Sequence, residues 1–239
     1  MEFMKWFFAS LLLLFLCTPG DAGPAKKNRA QMYATYKAHT ILPESLQYLV
    51  RRDGKHLFNG LQRGLSVSRD RITEKAIMRE TQKITTMVNS QRPFKEVIGQ
   101  MGFVSGLLAI YTDPSLDSNR SVQQGFRYYL NVKLERCLFV FEGYEAVNEL
   151  EKAQKEAWLH SELGRISEMR GTHKNLLEDR YQKVGQNARY IFNERSAVFG
   201  VCSIYFSNLA RLSAHLWYYA WSSAHGDVTK TPFQGRTAK

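Results

Sequence analysis

The chain has 239 residues, of which 44% are apolar and 23% charged, with 16 Gly, 6 Pro, 3 Cys and a formal net charge of +11. This composition supplies a folded core and excludes an intrinsically disordered chain, a collagen-like repeat and a disulfide-dense miniprotein. The length favours one domain. The positive charge favours association with nucleic acid, anionic lipid headgroups or cell-envelope polymers, although a basic surface also serves solubility alone.

The N-terminus has the pattern of a secretory signal peptide. An apolar run extends from Trp6 to Cys17, preceded by Lys5 and followed by small and turn residues through Ala22. Because about a dozen apolar residues are too few to cross a bilayer as a relaxed helix, we expect cleavage after Ala22. Residues 1–22 are then a signal peptide and the protein is exported, periplasmic or extracellular. An uncleaved membrane anchor is the alternative.

The remainder of the chain is predicted to be all-α. Apolar residues recur at three- and four-residue spacing from Met32 onward, and no sustained alternation of period two competes with this pattern. We therefore expect a single-domain multi-helix bundle over residues 23–226, with a long apolar C-terminal helix at its centre. Residues 227–239 are poor in apolar side chains, which predicts a disordered basic tail.

The first two principal helices are bounded by capping and breaking residues. Ser68 is the predicted N-cap of an amphipathic helix that reaches about Val88. Pro93 begins the next helix, whose broad apolar face predicts that it is largely buried, and Asp113 and Pro114 end it.

The second half of the chain is predicted to hold two longer helices. One extends from about Ser121 to about His160, and its second half is expected to face solvent. The polar segment 161–186 is predicted to be a mobile connection or a short exposed helix. The last helix, from about Ala188 to Ser223, is apolar on most sides and is expected to occupy the centre of the bundle.

The last helix carries one polar stripe. Ser203, Ser207, Arg211 and His215 follow one another at intervals of four, which places them on one helix face. Arg211 and His215 argue against a membrane span. We favour a ridge that reaches solvent over the lining of a cavity.

Two cysteines and one glutamate lie in or beside apolar runs, which allows their burial and pairing to be predicted. Cys137 and Cys202 are expected to be two separately buried thiols inside helices, although an exported compartment would permit a disulfide between them. Glu142 ends an apolar run and is expected to be desolvated in an ion pair with Arg211 or Lys133.

Familiar catalytic motifs are missing from the sequence. It contains no Gly-rich phosphate loop, no Gly-x-Ser-x-Gly elbow and no His-Glu-x-x-His pair, so P-loop, α/β-hydrolase and zincin chemistry have no support. His39 stands just before a helix that Pro43 could open, a position that suits a ligand or an N-terminal cap.

Scattered segments of the chain resemble exported bacterial relatives of zinc-dependent phospholipase C. These segments are 38–44 (AHTILPE), 93–97 (PFKEV), 140–144 (VFEGY), 193–201 (NERSAVFGV) and 216–227 (LWYYAWSSAHGD). The superfamily that they resemble includes the all-α S1/P1 nucleases. The resemblance implies an all-α fold, zinc as cofactor and hydrolysis of phosphodiesters.

The zinc ligands that the resemblance implies are incomplete. Family members carry a His-x-x-x-Asp pair and a later His, at positions that hold Gly106, Ile110 and Leu116 here. None of these three side chains binds zinc. The N-terminal Trp of the family likewise has no counterpart at Gly23.

Three residues remain as candidate metal ligands. His39 matches the early histidine of the family, and Glu135 falls where the family has the acid of a His-x-x-x-Glu pair, with Asn131 in place of the His. Asp113 is an unaligned neighbour. The alternatives are a His39 imidazole satisfied by a backbone carbonyl or acting as a cap, and a surface Glu135 paired with Arg136 or Lys133.

Two classes of function follow. In the first, the protein is an exported phospholipase C-like or nuclease-like phosphoesterase with a degenerate site, in which His39, Asp113 and Glu135 orient a water bound to zinc. In the alternative, it is a non-catalytic, basic, all-helical envelope protein that binds anionic lipid or polymer. Either class implies anionic, phosphate-containing partners, such as phospholipid headgroups or nucleic acid, and permits peripheral membrane contact.

Overall fold

The computed structural model describes residues 28–148, 150–184 and 191–232. Within these ranges the chain is built of helices and connections and contains no strand, which confirms the all-α prediction. The predicted signal peptide lies outside the described residues. The helices are α1 (Arg29–Thr40), α2 (Glu44–Arg52), α3 (Gly54–Leu65), α4 (Glu74–Asn89), α5 (Phe94–Tyr111), α6 (Arg120–Lys133), α7 (Glu145–Asn148), α8 (Lys152–Val184) and α9 (Ala197–Ser223).

Helix α9 is the centre of the bundle, as predicted. It contacts α1, α4, α5, α6 and α8, and the side chains from Leu209 to Trp221 are all buried. By length and composition it could cross a membrane, but most of its apolar window is buried among the other helices. Its apolar surface is therefore covered by protein. It begins at Ala197, where the Ser196 hydroxyl accepts a hydrogen bond from the Phe199 amide, and not at the predicted Ala188, which lies outside the described residues.

Helices α3 and α5 pack at a distance that only glycine allows. A Cβ atom on Gly60 would collide with the backbone of Gly99, and one on Gly102 would collide with the carbonyl of Leu57. Gly64 and Gly106 repeat the arrangement one turn further along the two helices. The pair α3–α5 has the most extensive contact in the bundle.

The boundaries of α4 and α5 test the predicted caps. Helix α4 begins later than predicted, because Thr73 is its N-cap and accepts a hydrogen bond from the Ala76 amide. Ser68 instead precedes a 3-10 turn, Arg69–Arg71, and bonds to Asp70. Helix α5 follows Pro93 and ends before Asp113, as predicted.

The predicted helix from Ser121 to His160 is wrong in its second half. Helix α6 ends at Lys133, a 3-10 turn follows, and residues 137–143 belong to neither helix nor strand, but their burial alternates from one residue to the next, as in an extended chain that ends at Gly143, where φ is 93°. We call this extended segment the strap. In its run CLFVF, the side chains of Cys137, Phe139 and Phe141 are partly buried against the core while Leu138 and Val140 point to solvent. The apolar run therefore has the period of a strand.

The polar segment predicted to be mobile or short belongs to α8, a helix of 33 residues. Leu159, Leu163 and Ile166 are buried at three- and four-residue spacing, and Leu177 and Tyr181 continue the inward face. The prediction was wrong because a narrow apolar stripe is enough to hold a long, otherwise polar helix on the bundle.

Residues 227–232 pack against the rest of the chain, so the predicted tail does not begin at Asp227. The Asp227 carbonyl accepts hydrogen bonds from the Trp221 indole, at 3.0 Å, and from the Ser45 hydroxyl, at 2.7 Å. The Glu44 amide donates to the Lys230 carbonyl at 2.9 Å. Residues 233–239 lie outside the described residues.

Candidate functional site

His39 lies buried at the end of α1. Its Nε2 is 3.2 Å from the carbonyl oxygen of Gln47, so this nitrogen carries the proton and donates to the carbonyl. Burial, opposed by this hydrogen bond and assisted by the charge of Arg51, lowers the pKa of His39 to about 4. The imidazole is neutral at pH 7, and the nearby guanidinium disfavours a divalent cation beside it.

Asp113 closes the turn after α5. One carboxylate oxygen accepts hydrogen bonds from the Ser115 amide, at 2.9 Å, and from its hydroxyl, at 2.7 Å. The other oxygen is 3.4 Å from a guanidinium nitrogen of Arg127. Both oxygens of this buried carboxylate thus have protein partners that explain its burial.

Glu135 lies at the surface, with its side chain 73% exposed. It pairs with Arg29 at 2.8 Å, and not with Arg136 or Lys133 as its alternative interpretation expected. Across residues 28–148, 150–184 and 191–232, no group of three or more His, Cys, Asp or Glu side chains is placed to hold a metal ion. The contacts of His39, Asp113 and Glu135 do not fit a shared zinc ion, and zinc remains a prediction.

The polar stripe of α9 is covered by the strap, so the favoured solvent ridge is wrong. The Leu138 amide donates to Ser203 at 3.3 Å, and the Val140 amide donates to Ser207 at 3.0 Å. Ser207 in turn donates to the Val140 carbonyl at 3.0 Å. Four helical residues advance about 6 Å and two extended residues about 6.6 Å, so the two segments stay in register.

Arg211, four positions after Ser207, makes the next contact between α9 and the strap, and this contact is an ion pair. Its guanidinium is 3.4 Å from Glu142 of the strap and 2.6 Å from Glu162 of α8. The predicted pair between Glu142 and Arg211 is confirmed, but Glu142 is 68% exposed and is not desolvated. Glu162 is the better-shielded partner and holds the buried guanidinium in place.

His215 lies at the buried end of the stripe, within a cage of aromatic rings. The rings of Phe141, Tyr144 and Trp158 have their centroids 5.0–5.4 Å from the imidazole. Burial, assisted by the charge of Arg211, lowers the pKa of His215 to about 4. The stripe therefore has a structural role, because it fastens the strap to the central helix.

The two described cysteines are free thiols, as the favoured interpretation predicted. Cys137 begins the strap instead of lying in a helix, and burial raises its pKa to about 11. Burial raises the pKa of Cys202 well above its ordinary value. Neither thiol is ionised at neutral pH, so neither suits nucleophilic or thiolate-ligand chemistry.

A separate, open cleft of about 470 Å³ lies where the N-terminus of α4 faces α5 and α8. Its walls come from the turn before α4, from the end of α5 and from the middle of α8. The lining residues are Arg69, Ile72, Thr73, Glu74, Lys75, Ile110, Tyr111, Ser167 and Arg170.

Two guanidinium groups converge at this cleft. Arg69 and Arg170 share the carboxylate of Asp117, and a nitrogen of Arg170 lies 3.5 Å from an Asp117 oxygen. Burial first, and then the positive charge of Arg170, lower the pKa of Arg69, while the negative charge of Asp113 opposes this lowering. An anion that contacts both guanidinium groups would reduce the repulsion between them.

The position of Arg170 is fixed by the end of α5. Its other terminal nitrogen donates to the Tyr111 carbonyl at 2.9 Å, and its guanidinium lies 5.9 Å from the Tyr111 ring. The Tyr111 hydroxyl donates to Glu74 at 3.1 Å, which holds the acidic side chain of the cleft against one wall. The cleft is therefore preorganised around its positive groups.

Sequence reasoning missed this cleft. Arg69 falls at the start of the helix predicted after Ser68, Arg170 falls in the segment predicted to be a mobile connection or a short exposed helix, and about 100 positions separate the two arginines. No local motif joins such residues, since the packing of α8 against α4 and α5 brings them together. The apolar residues of α8 at three- and four-residue spacing are the sequence signal that could have shown that this segment is a helix packed on the bundle.

Comparisons with protein-family models, with curated proteins and with solved structures find no match to this chain. The resemblance to phospholipase C relatives consequently depends on the quoted segments alone.

Proposed function

We propose that this protein is a non-catalytic, basic, all-helical binding protein whose cleft takes an anionic, phosphate-bearing ligand. The convergence of Arg69 and Arg170 on one shared carboxylate is the observation that carries the proposal. Guanidinium groups are suited to phosphate because they present several donors in a fixed plane. Lys75 adds a third cation at the rim of the cleft.

The size of the cleft favours an organic phosphate over the free ion. Its volume of about 470 Å³ falls within the range of about 300–1,000 Å³ typical of small-molecule sites. Ile72 and Ile110 offer apolar contacts beside the cations. A headgroup such as glycerol phosphate, with both charged and uncharged parts, fits this mixture.

Binding is favoured over hydrolysis by the contacts of the predicted metal ligands. His39 donates to a backbone carbonyl, Asp113 accepts from Ser115 and Arg127, and Glu135 pairs with Arg29. The cleft lies at different residues and contains no histidine among its lining side chains, and the carboxylate of Glu74, which also lines it, accepts a hydrogen bond from the Tyr111 hydroxyl. A phosphoesterase would need a general base or a metal-bound water beside the ligand.

Titration calorimetry with glycerol 1-phosphate tests the proposal. We expect saturable binding by the purified chain, and an affinity about tenfold lower in Arg69→Gln and in Lys75→Gln, because each loses a charge-assisted contact. Lys95→Gln is the matched control, since it removes one positive charge at the opposite end of α5. Over the 16 residues from Lys95 to Tyr111, α5 extends about 24 Å.

The control separates a site from a general charge effect. If Lys95→Gln weakens binding as much as Lys75→Gln, the ligand responds to the overall charge and the cleft is not its site. Absence of saturable binding by the wild-type chain overturns the proposal directly. Circular dichroism spectra confirm that each variant keeps its helical content.

A further inference from the structure

The strap presents two aliphatic side chains to solvent, on the side opposite α9. Leu138 is 65% exposed and Val140 is 58% exposed. They are two positions apart in an extended segment, so they lie on the same side, about 6.6 Å from one another. Exposed aliphatic side chains placed side by side are a candidate contact surface.

The strap is held rigidly enough to present these side chains without reordering. Hydrogen bonds from its amides to Ser203 and Ser207 hold its inner edge, and Phe139 packs against Phe206. A contact made through the outer side chains therefore needs little further ordering of the backbone, which favours association.

Positive side chains surround the approach to the strap. Lys133 and Arg136 both pair with Glu194, and Arg29 pairs with Glu135. Three cations share two carboxylates here. Arg195, which follows Glu194 in the chain, is exposed and adds a fourth cation. The strap's own exposed carboxylate, Glu142, pairs with Arg211. The four cations therefore exceed the two carboxylates that they face, which makes the approach to the apolar pair complementary to an anionic surface.

The N-terminal segment joins the bundle beside the strap. Arg29, the first residue of α1, contacts Glu135, two positions before the strap begins. The sequence upstream carries Lys26, Lys27 and the apolar run that ends at Cys17. The 11 residues between Cys17 and Arg29 span at most about 40 Å. In the alternative in which the apolar run stays uncleaved as a membrane anchor, the membrane that holds it is within reach of the strap.

We infer that the strap docks on an anionic lipid bilayer, with Leu138 and Val140 entering the interfacial region while the surrounding cations contact lipid phosphates. Aliphatic insertion and basic side chains act together in peripheral membrane binding. This surface is separate from the cleft between α4, α5 and α8, so each is tested by its own variants.

Hydrogen–deuterium exchange of the full chain, with and without vesicles, tests the inference. Vesicles of phosphatidylglycerol and phosphatidylcholine are expected to slow exchange in residues 137–143, while residues 44–52 of α2 remain unchanged. Pure phosphatidylcholine vesicles and 0.5 M salt are expected to abolish the protection, because screening removes the attraction between the cations and the lipids.

A double variant gives a second, independent readout. Leu138→Ser with Val140→Ser should lower partition onto the anionic vesicles about tenfold, through the loss of inserted apolar surface. Tyr48→Ser, which removes an equally exposed side chain from α2, should leave partition unchanged. Lys95→Gln, which removes one positive charge outside both the strap and the cleft, should also leave it unchanged, which separates this surface from a general charge effect.

Three outcomes would overturn the inference. The first is unchanged exchange of the strap in the presence of anionic vesicles. The second is wild-type partition of the double variant. The third is protection of the strap that rises with protein concentration in the absence of lipid, which would assign the surface to a second copy of the chain.

Discussion

His39 and His215 are buried and neutral, and their ionisation connects the stability of the fold to pH. The pKa of each is lowered to about 4 in the folded chain, from an ordinary value of 6.5. Between these two pH values the unfolded chain therefore binds more protons than the folded chain. The contribution of the two neutral histidines to the free energy of unfolding is fully present above pH 6.5 and is lost as the pH drops toward 4.

We predict that the free energy of unfolding falls by roughly 2 kcal/mol for each of these histidines between pH 7 and pH 5. Half-buried His173, whose pKa is also lowered by burial, acts in the same direction. Urea unfolding followed by circular dichroism at the two pH values measures the change. Equal stability at pH 7 and pH 5 would show that the imidazoles are not buried as described.

At the level of the elements, the contact between α3 and α5 depends on glycine. A methyl group on Gly102 has no room, because the backbone of Leu57 occupies the space where its Cβ would stand. Gly171, in the exposed part of α8, has nothing within 4 Å of its missing Cβ. The same substitution at the two positions therefore has opposite effects.

We predict that Gly102→Ala lowers the free energy of unfolding by about 3 kcal/mol, since α3 and α5 must separate to accept the methyl group. Gly171→Ala should raise it by up to about 1 kcal/mol, because alanine has the higher helix propensity. Thermal and urea unfolding of the two variants give the comparison. Similar shifts of the same sign in both variants would contradict the close approach of the helices.

A comparison of α5 with the strap shows which elements can be predicted from local sequence patterns and which cannot. Helix α5 was predicted with its correct ends, because Pro93 and Asp113 bound a continuous apolar face. The strap was not predicted, since its short run of apolar residues satisfies the period of a strand as well as that of a helix. Its extended form is selected by the hydroxyl groups of Ser203 and Ser207, about 65 positions away.

At the scale of the molecule, the basic charge and the all-α class follow from composition and periodicity, whereas the cleft follows from packing. Arg69 and Arg170 meet because buried residues on both sides of Arg170, Ile166 and Leu177, hold this part of α8 on the bundle. The predicted metal ligands illustrate the opposite case, in which residues are singled out by the sequence pattern. His39 and Glu135 match a family pattern in sequence and Asp113 is an unaligned neighbour, yet each has its own separate contacts in the fold.

The most direct test of binding without hydrolysis is a ³¹P NMR spectrum of dihexanoyl phosphatidylglycerol, below its critical micelle concentration, with the full chain and added zinc. We predict that the phosphodiester resonance broadens when the protein is added and that no phosphomonoester resonance appears over time. A growing phosphomonoester signal would contradict it and favour the phosphoesterase, and an unperturbed phosphodiester signal would contradict binding.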